Sequence, residues 1–132
     1  MKEHQIQVRV RYSETDQMSV VYHGNYVPYF EMGRVEWLSN KGISYKSLEE
    51  SGIALPIVSM TINYKKPARY DDLLTVITKF KSQSSVKAEF DCEIWNDQNE
   101  LLTTAHFILV FVNINTGKPI VPPEYILDIM KS

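Results

Sequence analysis

The chain has one cysteine, almost no net charge and no long apolar run, and each scarcity removes a class of function. Cys92 alone can form neither an internal disulfide nor a multi-cysteine zinc site. It stands among alternating residues, as a small buried hydrophobe rather than a catalytic thiol. With 14 basic against 16 acidic residues the formal net charge is -2. That leaves no basic footprint for nucleic acid and no polybasic patch for a membrane surface. Nowhere does an apolar stretch approach the ~18 residues that a membrane-spanning helix needs. Residues 1–5 lead into no hydrophobic run, so no signal peptide, no membrane insertion and a cytoplasmic location are expected. There is no internal repeat, low-complexity segment or linker. What remains is 132 residues, 44% hydrophobic and 23% charged, the profile of one soluble globular domain spanning 1–132.

Periodicity divides the chain. Ile6, Val8, Val10 and Tyr12 alternate with polar residues, the period of a half-buried strand. A polar, turn-rich arm follows, expected to lack regular structure. Over 25–40 the spacing becomes helical: Tyr26, Phe30, Gly33 and Trp37 form a stripe, widened by Val27, Tyr29 and Leu38. Asn25 is the expected N-cap, Pro28 fits the first turn and Gly42 fits the stop. Met32 and Val35 lie off the stripe, so the helix is expected to be buried on most sides. Gly33 permits close approach of backbone, and Glu31 and Arg34 are spaced to form an ion pair. A short helix over 44–52 carries capping-box spacing at Ser47 and Glu50, with Gly52 as its stop.

Four strands come next. Val58, Met60, Ile62 and Tyr64 alternate with polar residues, and a loop over 66–72 ends that strand. Leu74, Val76 and Phe80 mark the second, with Thr78 on their face. Val86, Ala88, Phe90, Cys92 and Ile94 mark the third, and the last runs over 101–114. Its segment 107–112 is continuously apolar, as for a strand covered on both faces. A turn over 115–118 and Pro122-Pro123 lead to a short C-terminal helix over 124–130. Successive strands joined by tight turns exclude a parallel βαβ array. The α+β solution is one curved antiparallel β-sheet wrapped around a long central α-helix. Its uncovered outer face would need a second copy, so a homo-oligomer is expected.

The arm places a carboxylate, Asp16, and an imidazole, His23, just ahead of the helix start, where backbone amides are unpaired and partly positive. Those are the parts an acyl-transfer site needs. On spacing alone the structural reading is favoured: Asp16 caps the loop, His23 contacts the start of the helix and Tyr12 belongs to the core.

The run Tyr12-x-Glu14-Thr15-Asp16-x-Met18-x-Val20-Val21-Tyr22-His23-x-Asn25-Tyr26 resembles the acyl-CoA thioesterases of the 4-hydroxybenzoyl-CoA thioesterase type, including their Tol-Pal-associated bacterial branch. The resemblance continues through Tyr29-Phe30-Glu31-x-x-Arg34-Val35-Glu36 and Pro67-Ala68-Arg69-Tyr70-Asp71-Asp72-x-Leu74. It implies the hotdog fold, and obligate dimers often paired into tetramers, with sites at the subunit interface. It also implies an acyl-CoA substrate and catalytic roles for Asp16, His23 and Tyr12. Asp16 would attack the thioester carbonyl or activate water. The amide at His23 would polarise that carbonyl, and the imidazole would orient Asp16 or assist proton transfer. Lys65, Lys66 and Arg69 are candidates for the coenzyme A phosphates, and Ser59 and Met60 for the acyl pocket.

No metal is expected, since Asp16 and His23 are too few ligands, and no cofactor beyond the coenzyme A of the substrate itself. Glu31 is the rival carboxylate, because other hotdog thioesterases carry theirs on the central helix. His106 is expected to make a polar contact on the sheet, and His4 to be solvated. A hotdog dehydratase or hydratase and a non-catalytic acyl-CoA-binding scaffold are the alternative functions.

Overall fold

The computed structural model describes residues 3–132; Met1 and Lys2, which open the segment read as lacking a leader, lie outside the described residues. Strand β1 (Glu3–Arg9) leads through the arm to helix α1 (Tyr26–Asn40) and a short helix α2 (Tyr45–Glu50). A two-residue strand β2 (Ile53–Ala54) precedes β3 (Ile57–Tyr64), β4 (Leu73–Ser84), β5 (Lys87–Trp95) and β6 (Leu101–Val110). A short β7 (Val112–Asn113) and helix α3 (Glu124–Lys131) close the chain. Five strands form one antiparallel sheet in the order β1-β4-β5-β6-β3, and β2 pairs with β7. Register shifts interrupt β3, β4 and β5, and such bulges bend a sheet.

The alternation read from the sequence sets the inner face. Val8, Ile6 and His4 lie opposite Leu74, Val76 and Thr78; Thr78 lies opposite Cys92, and Cys92 opposite Ala105. Tyr26, Tyr29, Phe30, Gly33, Trp37 and Leu38 of α1 are buried against this face. Trp37 packs edge-on to Phe90 at 5.2 Å between ring centroids, and Phe30 lies 5.4 Å from Phe107. Each such buried aromatic contributes on the order of 1.5–3 kcal/mol. Gly33 is where helix and sheet meet most closely. A Cβ there would stand 2.6 Å from Thr78 Oγ1 and 3.0 Å from Val76 Cγ1, so only glycine fits without displacement. Gly42, at φ 87°, ends α1 as expected.

Several local expectations are corrected. The first strand ends at Arg9, and Tyr12 opens a single 3-10 turn, Tyr12–Glu14. The arm therefore has some regular structure: a second 3-10 turn, His23–Asn25, runs into α1, and isolated bridges join Thr15 to Val21 and Val20 to Arg69. Asn25 makes no capping hydrogen bond, because it is already helical. The cap of α2 uses Ser44 and Ser47, not Ser47 and Glu50. His4 is half-buried on the inner face of β1 rather than solvated.

Glu31, Met32, Glu36 and Ser39 leave one side of α1 open, so the helix is less enclosed than its apolarity suggested. Among the described residues no ion pair joins Glu31 to Arg34; Arg34 is instead buried, its guanidinium 5.0 Å from the Phe107 ring centre. The last strand does not run unbroken over 101–114. It leaves the sheet at Phe111, whose amide bonds Val86.

The largest correction concerns the outer face. It carries Lys79 with Glu93 at 3.4 Å, and His106 between Asp91 at 2.7 Å and Glu89 at 3.1 Å. His106 thus makes the polar contact expected of it. A surface of paired charges does not demand apolar cover, so the burial argument for a homo-oligomer fails in that form.

Candidate active site

The arm is held by Glu14, a residue to which the sequence reading gave no role. Its carboxylate accepts from the Arg11 amide at 2.7 Å, the Arg11 guanidinium at 3.1 Å and the Tyr29 hydroxyl at 2.8 Å. Its carbonyl accepts from the Tyr22 amide at 3.0 Å and from Asn25 Nδ2 at 2.8 Å. One residue therefore joins both ends of the arm and the first turn of α1. Burial raises the Glu14 pKa, but the bonds from the Arg11 amide, the Tyr29 hydroxyl and the Arg11 guanidinium outweigh it and hold the carboxyl below its ordinary value. Burial, and then the Glu14 carboxylate, push the Tyr29 phenol well above its own.

Between these anchors the chain makes a tight turn. The Asp16 amide donates to the Val20 carbonyl at 2.9 Å, and the Ser19 amide to the Asp16 carbonyl at 3.0 Å. Ser19 adopts φ 66°, and the Val21 amide ties the turn to the Ala68 carbonyl at 2.8 Å. The Asp16 side chain accepts from the Met18 amide through Oδ1 at 2.8 Å. Among the described residues, Oδ2 has no hydrogen-bond partner.

Asp16 and His23 line one cavity of about 320 Å³, with Val20, Val21, Tyr26, Tyr64, Lys65, Lys66 and Pro67. Tyr64 donates to the His23 carbonyl at 3.1 Å, and the His23 ring lies 4.2 Å from that of Tyr22. The Tyr26 hydroxyl accepts from the Ala68 amide at 3.2 Å, and burial raises its pKa. The amides of His23 and Gly24 open the 3-10 turn before α1, and among the described residues neither has an acceptor. Asp16 and His23 thus line one opening, with unsatisfied amides at the turn that His23 begins. That arrangement suits attack on a polarised carbonyl.

The remaining candidates divide. Lys65 and Lys66 reach the cavity wall, but Lys66 is paired with Glu100 at 2.8 Å, whereas Lys65 has no ion pair among the described residues. Arg69 bridges Val20 through its backbone and does not line the cavity. Tyr12 is also outside it: the residue is 77% exposed, its ring edge-on to Tyr70 at 5.6 Å. Ser59 lies on the outer face opposite Ile108, and Met60 on the inner face opposite Phe107, 45% exposed at the sheet edge. Glu31 is exposed, away from Asp16 on a different cavity.

Tyr64 and Glu100 were missed as site neighbours because strand pairing brings them there. The Glu14–Tyr29 bond spans 15 positions, and no local pattern reveals it. A signal existed nonetheless, since Glu14 stands two residues from Asp16 in the motif that carries the resemblance.

Comparison with known proteins identifies the family of the chain. Residues 10–129 match the family model described as the thioesterase-like superfamily. Acyl-CoA thioester hydrolase YbgC of Escherichia coli O157:H7 is 36% identical over 120 residues, which cover 91% of this chain and 90% of that protein. The crystal structure of DHNA-CoA thioesterase from Staphylococcus aureus superposes with a TM-score of 0.91 at 36% identity, covering 97% of this chain and 86% of that one. A 4-hydroxybenzoyl-CoA thioesterase structure, with a TM-score of 0.89 at 21% identity, shares the fold over 98% of this chain and 99% of that one.

Proposed function

The chain belongs to the thioesterase-like superfamily and is a thioester hydrolase of hotdog fold, and from that premise we propose that it cleaves an acyl-CoA in the cavity beside Asp16. The observation that carries the reading is that Asp16, with one carboxylate oxygen unpartnered, and His23, at the start of the turn that leads into α1, line one cavity. The amides of that turn, reinforced by the positive end of α1, receive the thioester carbonyl oxygen and stabilise the charge that grows on it.

Two routes use Asp16. As nucleophile, its carboxylate adds to the acyl carbon; the tetrahedral intermediate expels coenzyme A thiolate, and water hydrolyses the resulting mixed anhydride to acid and free Asp16. As general base, it takes a proton from a water that attacks the same carbon, and the thiolate again leaves. His23 assists proton transfer from the cavity wall. Tyr12, held away from the cavity in one copy, acts only through a water or a second copy. Lys65 is the cation available for coenzyme A phosphate, and Lys66 contributes less because Glu100 offsets it. Neither route calls for a metal ion or a cofactor.

A homo-oligomer belongs to the same proposal, on a different ground from the outer face. Strand β3 is a sheet edge, and Val58, Met60 and Tyr64 on it are 58%, 45% and 51% exposed. An uncovered edge strand with apolar side chains is a template for pairing. Tyr64 lines the Asp16 cavity, so a copy seated on β3 would wall the site. A cytoplasmic location fits the substrate; among the described residues no helix is long and apolar enough to cross a membrane.

The test is thiol release from a panel of acyl-CoAs. Wild-type protein is expected to turn over at least one of them, and Asp16→Ala none at a comparable rate. Binding without turnover in the wild type would leave a scaffold protein in place of the enzyme. Full activity in Asp16→Ala would remove Asp16 from the mechanism.

A further inference from the structure

The peptide unit that joins His23 to Gly24 is held at one end only. At its carbonyl two donors converge: the amide of Tyr26, the first residue of α1, and the Tyr64 hydroxyl at 3.1 Å. At its other end the Gly24 amide has no acceptor among the described residues. A trans peptide directs its N–H opposite to its C=O. With the carbonyl turned along the helix, the amide is directed out of the helix start, as the first N–H groups of a helix are. Glycine makes this orientation easy to lose. Reversing the plane would change only ψ of His23 and φ of Gly24, and glycine tolerates either sign of φ.

Tyr64 is placed to prevent that reversal. It is the last residue of β3, paired with Thr103, and the amides of Lys65 and Lys66 that follow it both donate to the Leu102 carbonyl, at 2.8 and 3.1 Å. Its ring stands edge-on to that of Tyr26 at 5.3 Å between centroids, and Tyr26 is buried. The Tyr26 hydroxyl accepts from the Ala68 amide at 3.2 Å, and the Ala68 carbonyl accepts from the Val21 amide at 2.8 Å. Strand, loop and arm therefore fix the Tyr64 hydroxyl within reach of His23. A side chain on a strand is placed more precisely than one on a loop. Tyr64 is itself 51% exposed on the wall of the Asp16 cavity, so core packing does not account for its hydroxyl.

We propose that Tyr64 is a positioning residue of the hydrolysis: its hydroxyl orients and polarises the His23–Gly24 peptide, so that the Gly24 amide meets the thioester carbonyl oxygen as a preset donor. Polarisation follows from the shared peptide plane. A hydrogen bond to the carbonyl draws electron density from the nitrogen and strengthens its N–H as a donor. Charge grows on the thioester oxygen only as the tetrahedral intermediate forms, so this support acts on the transition state and not on ground-state binding. No proton leaves Tyr64 and no bond forms to it. The proposal rests on the reading of the Asp16 cavity as the hydrolytic site, and adds the residue that sets its donor.

Tyr64→Phe removes the hydroxyl and keeps the ring against Tyr26, so the variant is expected to fold with a melting temperature near that of wild type. Its kcat should fall by about 3- to 10-fold, the worth of one ordinary hydrogen bond realised in the transition state, with KM near the wild-type value. Two analogues of the same acyl-CoA separate positioning from ligand contact. The trifluoromethyl ketone, whose tetrahedral adduct carries the charged oxygen, should lose affinity by the same factor as kcat. The thioether, which has no carbonyl, should bind both proteins equally.

Wild-type kcat in Tyr64→Phe, in a protein whose wild type hydrolyses acyl-CoA, would overturn the proposal and leave the hydrolase reading intact. Equal loss of ketone and thioether binding would overturn it by making Tyr64 a ligand contact. A rate loss that tracks a change of oligomeric state, read by sedimentation, would overturn it by assigning Tyr64 to an interface. Absence of thiol release by the wild type from every acyl-CoA is the separate failure of the hydrolase reading, and would leave Tyr64 no reaction to serve.

Discussion

Replacing Asp16 by asparagine separates the chemistry of this residue from its place in the fold. Asparagine keeps an oxygen where Oδ1 accepts from the Met18 amide at 2.8 Å, so the turn that positions the side chain is retained. It removes the charge and basicity of the second oxygen. General-base catalysis contributes about 10²–10⁴ in rate, which corresponds to about 3–5 kcal/mol of transition-state stabilisation. Loss of an attacking carboxylate would cost at least as much. The structural cost is smaller: an exposed hydrogen bond to a charged acceptor becomes one to a neutral acceptor, worth about 1 kcal/mol or less. Thiol release is the assay for the first quantity and thermal unfolding for the second. The expected pair is a loss of about 10²-fold or more in kcat with a melting temperature close to wild type. A variant that folds as wild type and hydrolyses at the wild-type rate would refute the assignment. An Asp16→Ala variant less stable than Asp16→Asn would measure the turn itself. Single turnover in ¹⁸O-labelled water identifies the nucleophilic route where label enters the Asp16 carboxylate, which requires an anhydride and attack of water on its Asp16 carbonyl; label in the acid product alone fits either route.

Glu14→Gln should flatten the acid limb of the stability profile. The folded pKa of Glu14 is depressed, so its contribution is present above the unfolded value and is lost as pH falls through the folded one. Tyr29→Phe should act at the opposite limb: a raised phenol pKa gives stability that is present below about pH 10 and lost as pH rises further. Melting temperature against pH reads both, and parallel curves for variant and wild type would contradict them. Gly33→Ala should destabilise by about 1–3 kcal/mol, since its methyl would meet Thr78 and Val76; denaturant unfolding measures this, and an unchanged midpoint would mean that helix and sheet give way freely. Cys92, buried and with its thiol pushed up to about 12 by that burial, should resist alkylation until the protein unfolds. Activity is expected to survive dialysis against EDTA, and a loss restored by added metal would rule out the metal-free routes.

The strands, the long helix and their order were legible because each rests on local periodicity. Ile6 and Val8 fall opposite Val76 and Leu74 as alternation implies, and the stripe of α1 is the face it buries. Edge and interior positions were not legible. Strand β3 alternates as cleanly as β5, yet it lies at the edge and is largely exposed. One sheet around one helix implied a bare outer face, but only pairing brings His106 between Glu89 and Asp91. At the candidate site, the cluster of Asp16, His23, Lys65 and Lys66 followed from the motif and the loop charge. The displacement of Tyr12 did not, because alternation extended the first strand three residues beyond its end at Arg9.

Arg34 shows where such reasoning stops. Its spacing from Glu31 is that of a surface ion pair, and helical geometry alone cannot say which of the two turns inward. The arm makes the complementary point with two carboxylates two residues apart. Glu14 spends all its acceptor capacity on Arg11, Tyr29, Tyr22 and Asn25, and so is structural. Asp16, on the cavity wall, engages one oxygen with the Met18 amide and leaves the other without a partner among the described residues. A carboxylate already satisfied by several donors is a poor base and a poor nucleophile, whereas one held by a single amide is positioned and still reactive. The fixed geometry that Asp16 needs is thus supplied by its neighbour. Glu14→Gln should therefore lower hydrolysis by loosening the arm while leaving the identity of the attacking group unchanged. Any ¹⁸O label found in Asp16 of the wild type would then also appear in that variant.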